Sequence, residues 1–436
     1  MAPLVAVIGL AILSGCASKP NLAADADEEV REFVQTTAPL QPTATAAAEP
    51  TASPLPTAIS IVPAPSKEPI AAEPPADCLS SARFTTAATI VGNRVLRGST
   101  DLLSASPVVV DLPSTAQWIV DDPSDIGHWF VVLDNGEVLR VDPAGTVSAT
   151  GQILDEPPEV LSNPNNGVTV RSAYADHGLF SDPLPDTRVV GGPDVVALTG
   201  PTDRYGHGVL GDRIEASAIE IVRDCGDDRT RIEVPAPSVI EGVSAILADV
   251  NADLAPDVLV TQSNADVGAW LAVYDLDGQL VAESEPIGQG NRWRNQMAVA
   301  ATGPAGEVEV IDVRVPHIGG VVEFFQYRID GRLERVATAP GEFTTHINGS
   351  RNLDMGVVLD ATGNGQLNVV VPTQGRNQIG VLRRTTDAAH PTGVEVLGLI
   401  DLGGGRVVAN FGTQATAAGP WLAIGTDDAR LHIFGP

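Results

Sequence analysis

One short segment occurs twice in this chain and constrains its fold more than any other feature. Asp249-Val-Asn251-Ala-Asp253-Leu-Ala-Pro-Asp257 runs directly into the apolar stretch Val258-Leu-Val260, and Asp360-Ala-Thr362-Gly-Asn364-Gly365-Gln-Leu-Asn368 runs into Val369-Val-Val371. Both copies carry oxygen-bearing side chains at loop positions 1, 3, 5 and 9. On a tight loop that alternation turns several oxygens inward, the donor set that a hard cation such as Ca²⁺ takes. A loop and strand used twice means internal repetition, and repetition on this scale decides architecture.

The unit extends beyond its two clear copies. With the ninth loop position as marker, Trp129, Asp194, Asp257, Glu309, Asn368 and Trp421 recur at spacings of about 50 to 65 residues, close to one four-stranded propeller blade each. Degenerate loops precede two of them, Asp121-Asp-Pro-Ser-Asp125 before Trp129 and Ala301-Thr-Gly303-Pro-Ala-Gly306 before Glu309. Outer hairpins repeat as Asp134-Asn-Gly136, Asp275-Leu-Asp-Gly278 and Asp330-Gly331 between apolar runs, strong signals for tight β-turns. The expected fold is all-β, a β-propeller of six four-stranded blades, with seven as the alternative if residues 84–106 or 157–200 hold another unit. The last unit ends one strand short after Leu431-His-Ile-Phe434, and Phe84 to Leu96 is the expected closing strand.

The rest of the chain divides by composition. Residues 17 to 77 are rich in Ala, Pro, Thr and Glu, a mixture that buries too little apolar area to offset its ordering entropy. That stretch reads as a disordered tether, followed by the folded domain 78–436. Asp and Glu number 55 against 26 Lys and Arg, and the lone lysines, Lys19 and Lys67, fall in the tether. A domain with no basic stripe is not expected to bind nucleic acid. Of three cysteines, Cys78 and Cys225 form an even pair in the domain and read as a disulfide in an oxidising compartment, with two isolated thiols as the alternative.

At the start, Leu4 to Leu13 is an apolar run too short to span a bilayer. It ends in Leu13-Ser14-Gly15-Cys16, which resembles a bacterial lipobox, although no Lys or Arg precedes the apolar run. The resemblance implies a signal peptide over 1–15, lipidation of Cys16, and a tether over 16–77 that holds the domain off a membrane. The protein is then expected in the cell envelope, facing the periplasm or the exterior.

The loop-strand units are similar to FG-GAP and VCBS repeats, whose loops follow Asp-x-Asn-x-Asp-Gly-x-x-Asp and build propellers. The first copy has Leu254 where that pattern has Gly, and the second replaces oxygen donors with Thr362, Asn364 and Asn368. The resemblance implies Ca²⁺ as cofactor, held by Asp249, Asn251, Asp253 and Asp257 and, more weakly for its single carboxylate, by Asp360, Thr362, Asn364 and Asn368. An Asx-rich turn satisfied by its own backbone is the competing reading.

In a propeller the loops joining second to third strands share an end with the loops joining one blade to the next. That end collects Arg204, Tyr205 and His207, His317, the run Arg292-Trp293-Arg294, and His346 with Arg351. The arginines suit bidentate capture of a carboxylate or sulfate, and Tyr205 and Trp293 suit stacking on a sugar. The histidines suit metal ligation or acid–base work. No nucleophile elbow, His-Glu-x-x-His, phosphate loop or Cys-x-x-Cys occurs. The leading expectation is a lipid-anchored binding or scaffold module for an envelope protein or glycan. The alternative is a metal-assisted hydrolase or lyase acting on a carbohydrate through His207, His317 and His346. Convergence of the three imidazoles distinguishes the two.

Overall fold

The computed structural model describes residues 93–436 apart from 164–166, 175, 192–193, 224–225 and 227. The expected signal peptide and tether, with Cys16, Cys78 and Cys225, lie outside the described residues. Among the described residues no helix is long and apolar enough to cross a membrane.

The fold is an all-β propeller. Among the described residues the strands fall into antiparallel runs of four, in all but the last of which each strand pairs with the next in sequence; the second, third and fourth runs are continuous in one thirteen-stranded sheet through Val239–Ile240 and the parallel pairing of Leu280–Ser284 with Arg332–Thr338. The first comprises Ala116–Asp121, Trp129–Leu133, Glu137–Val141 and Val147–Ile153. The second comprises Val190–Gly191, Val195–Thr202, Glu215–Arg223 and Asp228–Glu233, and the third Ile246–Ala248, Asp257–Asn264, Gly268–Tyr274 and Leu280–Ser284. The fourth is Arg294–Ala300, Glu309–Arg314, Val321–Arg328 and Arg332–Thr338, and the fifth Val357–Asp360, Asn368–Pro372, Gln378–Arg384 and Val394–Asp401. A two-stranded hairpin, Pro158–Asn163 with Gly167–Ser172, stands between the first and second sheets in sequence.

The sixth sheet, Gly412–Thr416, Gly419–Thr426 and Arg430–Phe434, is completed from the other end of the chain. Val108–Asp111 pairs antiparallel with Arg430–Phe434. This corrects the expected closing strand. Val95–Ser99 instead adds parallel to Val357–Asp360 on the edge of the fifth sheet, and residues 84–92 are not described. The four-residue run at 108–111 was short enough to be overlooked, because one antiparallel partner and one buried face suffice for an outer strand.

Burial explains the patterning. The second strands Trp129–Leu133, Asp257–Asn264 and Asn368–Pro372 are buried along their whole length, and each carries an unbroken apolar stretch at 129–133, 258–260 and 369–372. Outer strands such as Leu280–Ser284 and Arg332–Thr338 alternate with exposed positions. Of the six markers, Trp129, Asp257, Glu309 and Asn368 open second strands, Asp194 stands one residue before its strand, and Trp421 lies inside one. Gly136, Gly278 and Gly331 all take positive φ at the hairpins, as those turns require.

Apolar seams join successive sheets. Ile240 and Leu247 share one between the second and third, Val299 and Leu333 lie with Leu259 between the third and fourth, and Phe324 packs with Val371 between the fourth and fifth. Val381 and Ile424 join the fifth to the sixth, and Ile119 and Trp129 pack on Ile433 to bring the sixth against the first. Each fully buried large side chain contributes about 1.5 to 3 kcal/mol of transfer free energy, so these seams carry most of the cohesion between sheets.

Candidate functional site

Because each sheet is an antiparallel meander, its second-to-third loop and its link to the next sheet emerge at the same end. Loop 203–214 of the second sheet, loop 315–320 of the fourth, and the links 241–245, 285–293 and 339–356 all open there. They bring five rings into one row. Tyr205 lies edge-on to His207 at 5.8 Å between centroids, His207 stands 6.2 Å from His317, His317 5.9 Å from His346, and His346 4.9 Å from Trp293.

The row is anchored from below by a wholly buried carboxyl. His207 Nδ1 hydrogen-bonds Glu241 Oε1 at 2.5 Å. Glu241 is fixed by its own backbone, whose N–H donates to Thr261 O at 3.0 Å and whose carbonyl accepts from Trp293 Nε1 at 3.0 Å. His346 is held at its other nitrogen, Nε2 standing 2.8 Å from Ser350 O. The Nδ1 atoms of His317 and His346 are buried and meet no hydrogen-bond partner.

Burial sets the protonation states. His317 is pushed down to about 4 by burial and then by His207, and His346 to about 4 by burial, with His317 and His207 adding to the effect. Both imidazoles are therefore neutral at pH 7. Glu215, which opens the third strand of the second sheet and is 1 % exposed, is pushed up to about 10 by burial and by the Glu241, Asp186 and Asp212 carboxyls. It is a neutral acid at pH 7. Burial also raises Glu241, opposed by His207, and raises the Tyr205 phenol. Ionisable groups forced this far from their ordinary ranges are a feature that functional sites share with buried structural networks.

The arginines take other roles. Arg294 is 3 % exposed, its Nη1 bonded to Asp312 at 2.7 Å and to Glu323 at 2.8 Å, with its guanidinium over the Phe325 ring. Arg351 pairs with Asp186 at 2.6 Å and also with Asp212, and Arg204 donates to the carbonyls of Val234 and Ser238. Arg292 stays exposed and donates to Ile287 O at 3.3 Å. Trp293 is 0 % exposed and Tyr205 3 %, so neither offers a face for stacking on a sugar. The acidic surroundings draw guanidinium groups into ion pairs, and the rings fill the space between loops.

Two carboxyls that the sequence reading passed over, Glu215 and Glu241, belong to the cluster. Their signal was present, since each is an acidic residue set against an apolar run, Glu215 before Ala216 and Glu241 after Val239-Ile240.

The repeat loops lie at the opposite end. Asp249 accepts from the backbone N–H of Asp253 and of Leu254, both at 3.1 Å, while Asp257 accepts from Val250 at 2.9 Å. Asp360 accepts from Asn364 at 3.2 Å and from Gly365 at 2.6 Å, and Asn368 accepts from Ala361 at 3.1 Å. Asn251 Oδ1 and Asn364 Oδ1 also accept from their own loops, and Thr362 N–H donates to Asp360. Leu254 sits at φ +74, a left-handed conformation that Gly365 adopts at +85 in the second copy. A leucine there is strained, which explains why the repeat pattern places glycine at that position. Asp257 is pushed up to about 6 by burial, with Asp253 and Asp249 adding to it. Among the described residues no group of three or more His, Cys, Asp or Glu side chains stands spaced to hold a metal ion.

A separate cavity of about 420 Å³ opens between the outer strands of the third and fourth sheets, lined by Glu283, Glu285, Arg314, Arg332 and Arg335 among others. None of the five rings lines it.

No family model matches the chain, and no curated protein sequence matches it. Solved structures similar to it include the WD40 β-propeller domain of Doa1, at 9 % identity and a TM-score of 0.39, covering 74 % of this chain and 94 % of that one. BBS1N, crystallised in complex with ARL6DN, aligns at 10 % identity and a TM-score of 0.41 over 76 % of this chain and 98 % of that one. The computationally designed Ika8 protein aligns at 13 % identity and a TM-score of 0.38, over 76 % and 100 % respectively. Likeness at this level carries no functional argument, and the propeller assignment rests on the strand order.

Proposed function

We propose that this chain is a binding module tethered to the cell envelope, with a protein or glycan ligand received at the end formed by loops 203–214, 315–320 and 339–356. The observation that carries the reading is the row of Tyr205, His207, His317, His346 and Trp293 over the buried Glu241. Desolvated imidazoles and carboxyls cost stability, and such costs cluster at functional sites. Ile318, 72 % exposed beside His317, adds an apolar contact at the same end. The lipobox-like Leu13-Ser14-Gly15-Cys16 and the Ala/Pro/Thr-rich stretch after it supply the anchor and the reach. In this reading the repeats are of FG-GAP/VCBS type, and Ca²⁺ in the Asp249 and Asp360 loops stiffens the opposite end.

The test is cosedimentation of the purified, unlipidated Cys16→Ala chain with envelope fractions of the producing cells, comparing Ile318→Asp with Ile329→Asp in that background. Ile329 is 97 % exposed in the outer turn of the fourth sheet, at the opposite end. Loss of binding confined to Ile318→Asp supports the reading, and equal binding by both variants and the Cys16→Ala parent refutes it. Incorporation of labelled fatty acid, abolished by Cys16→Ala, tests the anchor separately.

A further inference from the structure

We propose that the cavity between the outer strands of the third and fourth sheets binds a small zwitterion of the α-amino-acid class, at a site apart from the envelope-binding end. The cavity measures about 420 Å³. That lies toward the lower end of the range of about 300 to 1,000 Å³ that small-molecule pockets occupy. Its two walls differ in charge. Glu283 and Glu285 line it from the end of the third sheet's outer strand. Arg314, Arg332 and Arg335 line it from the fourth sheet, together with the buried Arg294. Glu334, also on the fourth-sheet wall, is paired with Arg328.

No ion pair joins the two walls. The strands Leu280–Ser284 and Arg332–Thr338 meet at two register pairs, Glu283 with Arg332 and Ser284 with Leu333. Even there the Arg332 guanidinium donates to Asp330 of its own sheet, at 2.8 Å. Arg314 and Arg335 both donate to Glu323, at 3.2 Å and 2.8 Å. Each arginine of the fourth-sheet wall is thus paired within its own sheet. The Glu283 and Glu285 carboxylates have no ion pair or hydrogen bond among the described residues. Burial, and then Glu285, hold Glu283 above the usual carboxylate range. Two like charges side by side with no cation against them are a place where a ligand cation lowers the energy.

The opposite wall keeps donors in reserve. Arg314 bonds through Nε alone and Arg335 through Nη1 alone, so each retains N–H groups for a further acceptor. Glu323 is fully buried and receives Arg294, Arg314 and Arg335 together, so one carboxylate answers three guanidinium groups. A ligand carboxylate is the planar partner that such groups grip best. A ligand ammonium, with three donors, suits the Glu283 and Glu285 oxygens. A simple anion is opposed by the glutamate wall and a simple cation by the arginine wall. A molecule carrying both charges is favoured by both walls, so selectivity comes from repulsion as much as from attraction. Pro286, Ile287 and Leu333 add apolar surface to the lining, which suits an aliphatic side chain.

The experiment is isothermal titration calorimetry of the purified full-length Cys16→Ala chain with L-leucine and with L-leucylglycine, which hold the two charges at different separations. At least one should bind saturably at one equivalent, with a Kd below about 1 mM. N-acetylleucine lacks the ammonium and leucinamide lacks the carboxylate, so each should bind at least about tenfold more weakly. Glu285→Gln should shrink the preference for the zwitterion over N-acetylleucine by about tenfold, and Arg335→Gln should shrink its preference over leucinamide. Damage to the fold would weaken every ligand alike and leave both preferences in place. Glu323 keeps Arg294 and Arg314 in Arg335→Gln. Should that variant still prove unstable by circular dichroism, Arg332→Gln removes a charge from the same wall, where the partner Asp330 is exposed. Arg406→Gln, at an ion pair with Asp427 elsewhere, should leave binding unchanged. The proposal is overturned if neither zwitterion binds saturably up to about 10 mM, or if glucose or a singly charged derivative binds as tightly. It is equally overturned if Glu285→Gln keeps the full preference of its parent. None of these results alters the cosedimentation outcome for Ile318→Asp, so this proposal and the envelope-binding reading fail separately.

Discussion

Replacing Glu215 with glutamine should stabilise the protein, and by an amount that grows with pH. Glu215 is 1 % exposed and its carboxyl is pushed up to about 10, chiefly by burial and next by Glu241. An unfolded glutamate titrates near 4.3. A group with a raised folded value stabilises fully below its unfolded value, and that contribution is lost as pH climbs toward the folded one. From about pH 4.3 to about pH 10 the wild type therefore loses about 1.4 kcal/mol per pH unit at this residue, or about 4 kcal/mol by pH 7.5. Glutamine has the same shape and no titration, so the whole loss disappears. With an unfolding entropy of about 2.1 cal/mol/K per residue over roughly 340 residues, 4 kcal/mol corresponds to about 6 °C in Tm. The glutamine amide introduces a donor whose pairing costs or gains a fixed amount, so the decisive quantity is the slope. Calorimetry of wild type and Glu215→Gln at pH 5.0, 6.5 and 8.0 should show a Tm difference rising by about 2 °C per pH unit in favour of the variant. A constant difference over that range would refute the argument, because it would mean that Glu215 is ionised in the folded state. A confirmed slope would show that the site keeps a costly carboxyl, the usual mark of a functional group.

Two further outcomes follow from other parts of the fold. Arg294→Met removes the buried partner of Asp312, itself pushed up to about 7 by burial with Arg294 opposing, while Arg314 and Arg335 still serve Glu323. In the wild type Arg294 opposes that rise, so the stability Asp312 loses with rising pH stops accumulating at a lower pH than it would without the guanidinium. In the variant the loss should continue to higher pH at about 1.4 kcal/mol per unit, seen as a falling Tm between pH 7 and 9, and a flat difference there would assign the cost to packing on Phe325 instead. For the repeat loops, about 1 mM Ca²⁺ against a chelator should raise Tm by about 2 to 4 °C, since a ligand at tenfold to a hundredfold its Kd adds roughly 1.5 to 2.7 kcal/mol. The increment should shrink in Asp249→Asn, and an unchanged Tm in both proteins would leave those loops as Asx turns closed by their own N–H groups.

What the sequence determined by itself was local and periodic. Apolar stretches such as Val258-Leu-Val260 and Val369-Val-Val371 marked second strands, outer turns announced themselves through Asp-Gly and Asn-Gly, and the repeat markers fell at or near the starts of second strands for Trp129, Asp194, Asp257, Glu309 and Asn368. The meander rule places His207, His317 and His346 at one end, because strand alternation alone fixes which loops emerge together. Tertiary structure decided everything that depends on distance across the axis. Val108–Asp111 closes the sixth sheet through a partner more than three hundred residues away in sequence, which no local pattern encodes. Arg294 and Trp293 look alike as candidates in the sequence, yet one is absorbed by Asp312 and Glu323 and the other braces Glu241. Glu215 and Glu241 are ordinary acidic residues until burial moves them, since a carboxyl's behaviour depends on the dielectric and the charges around it, and folding supplies both.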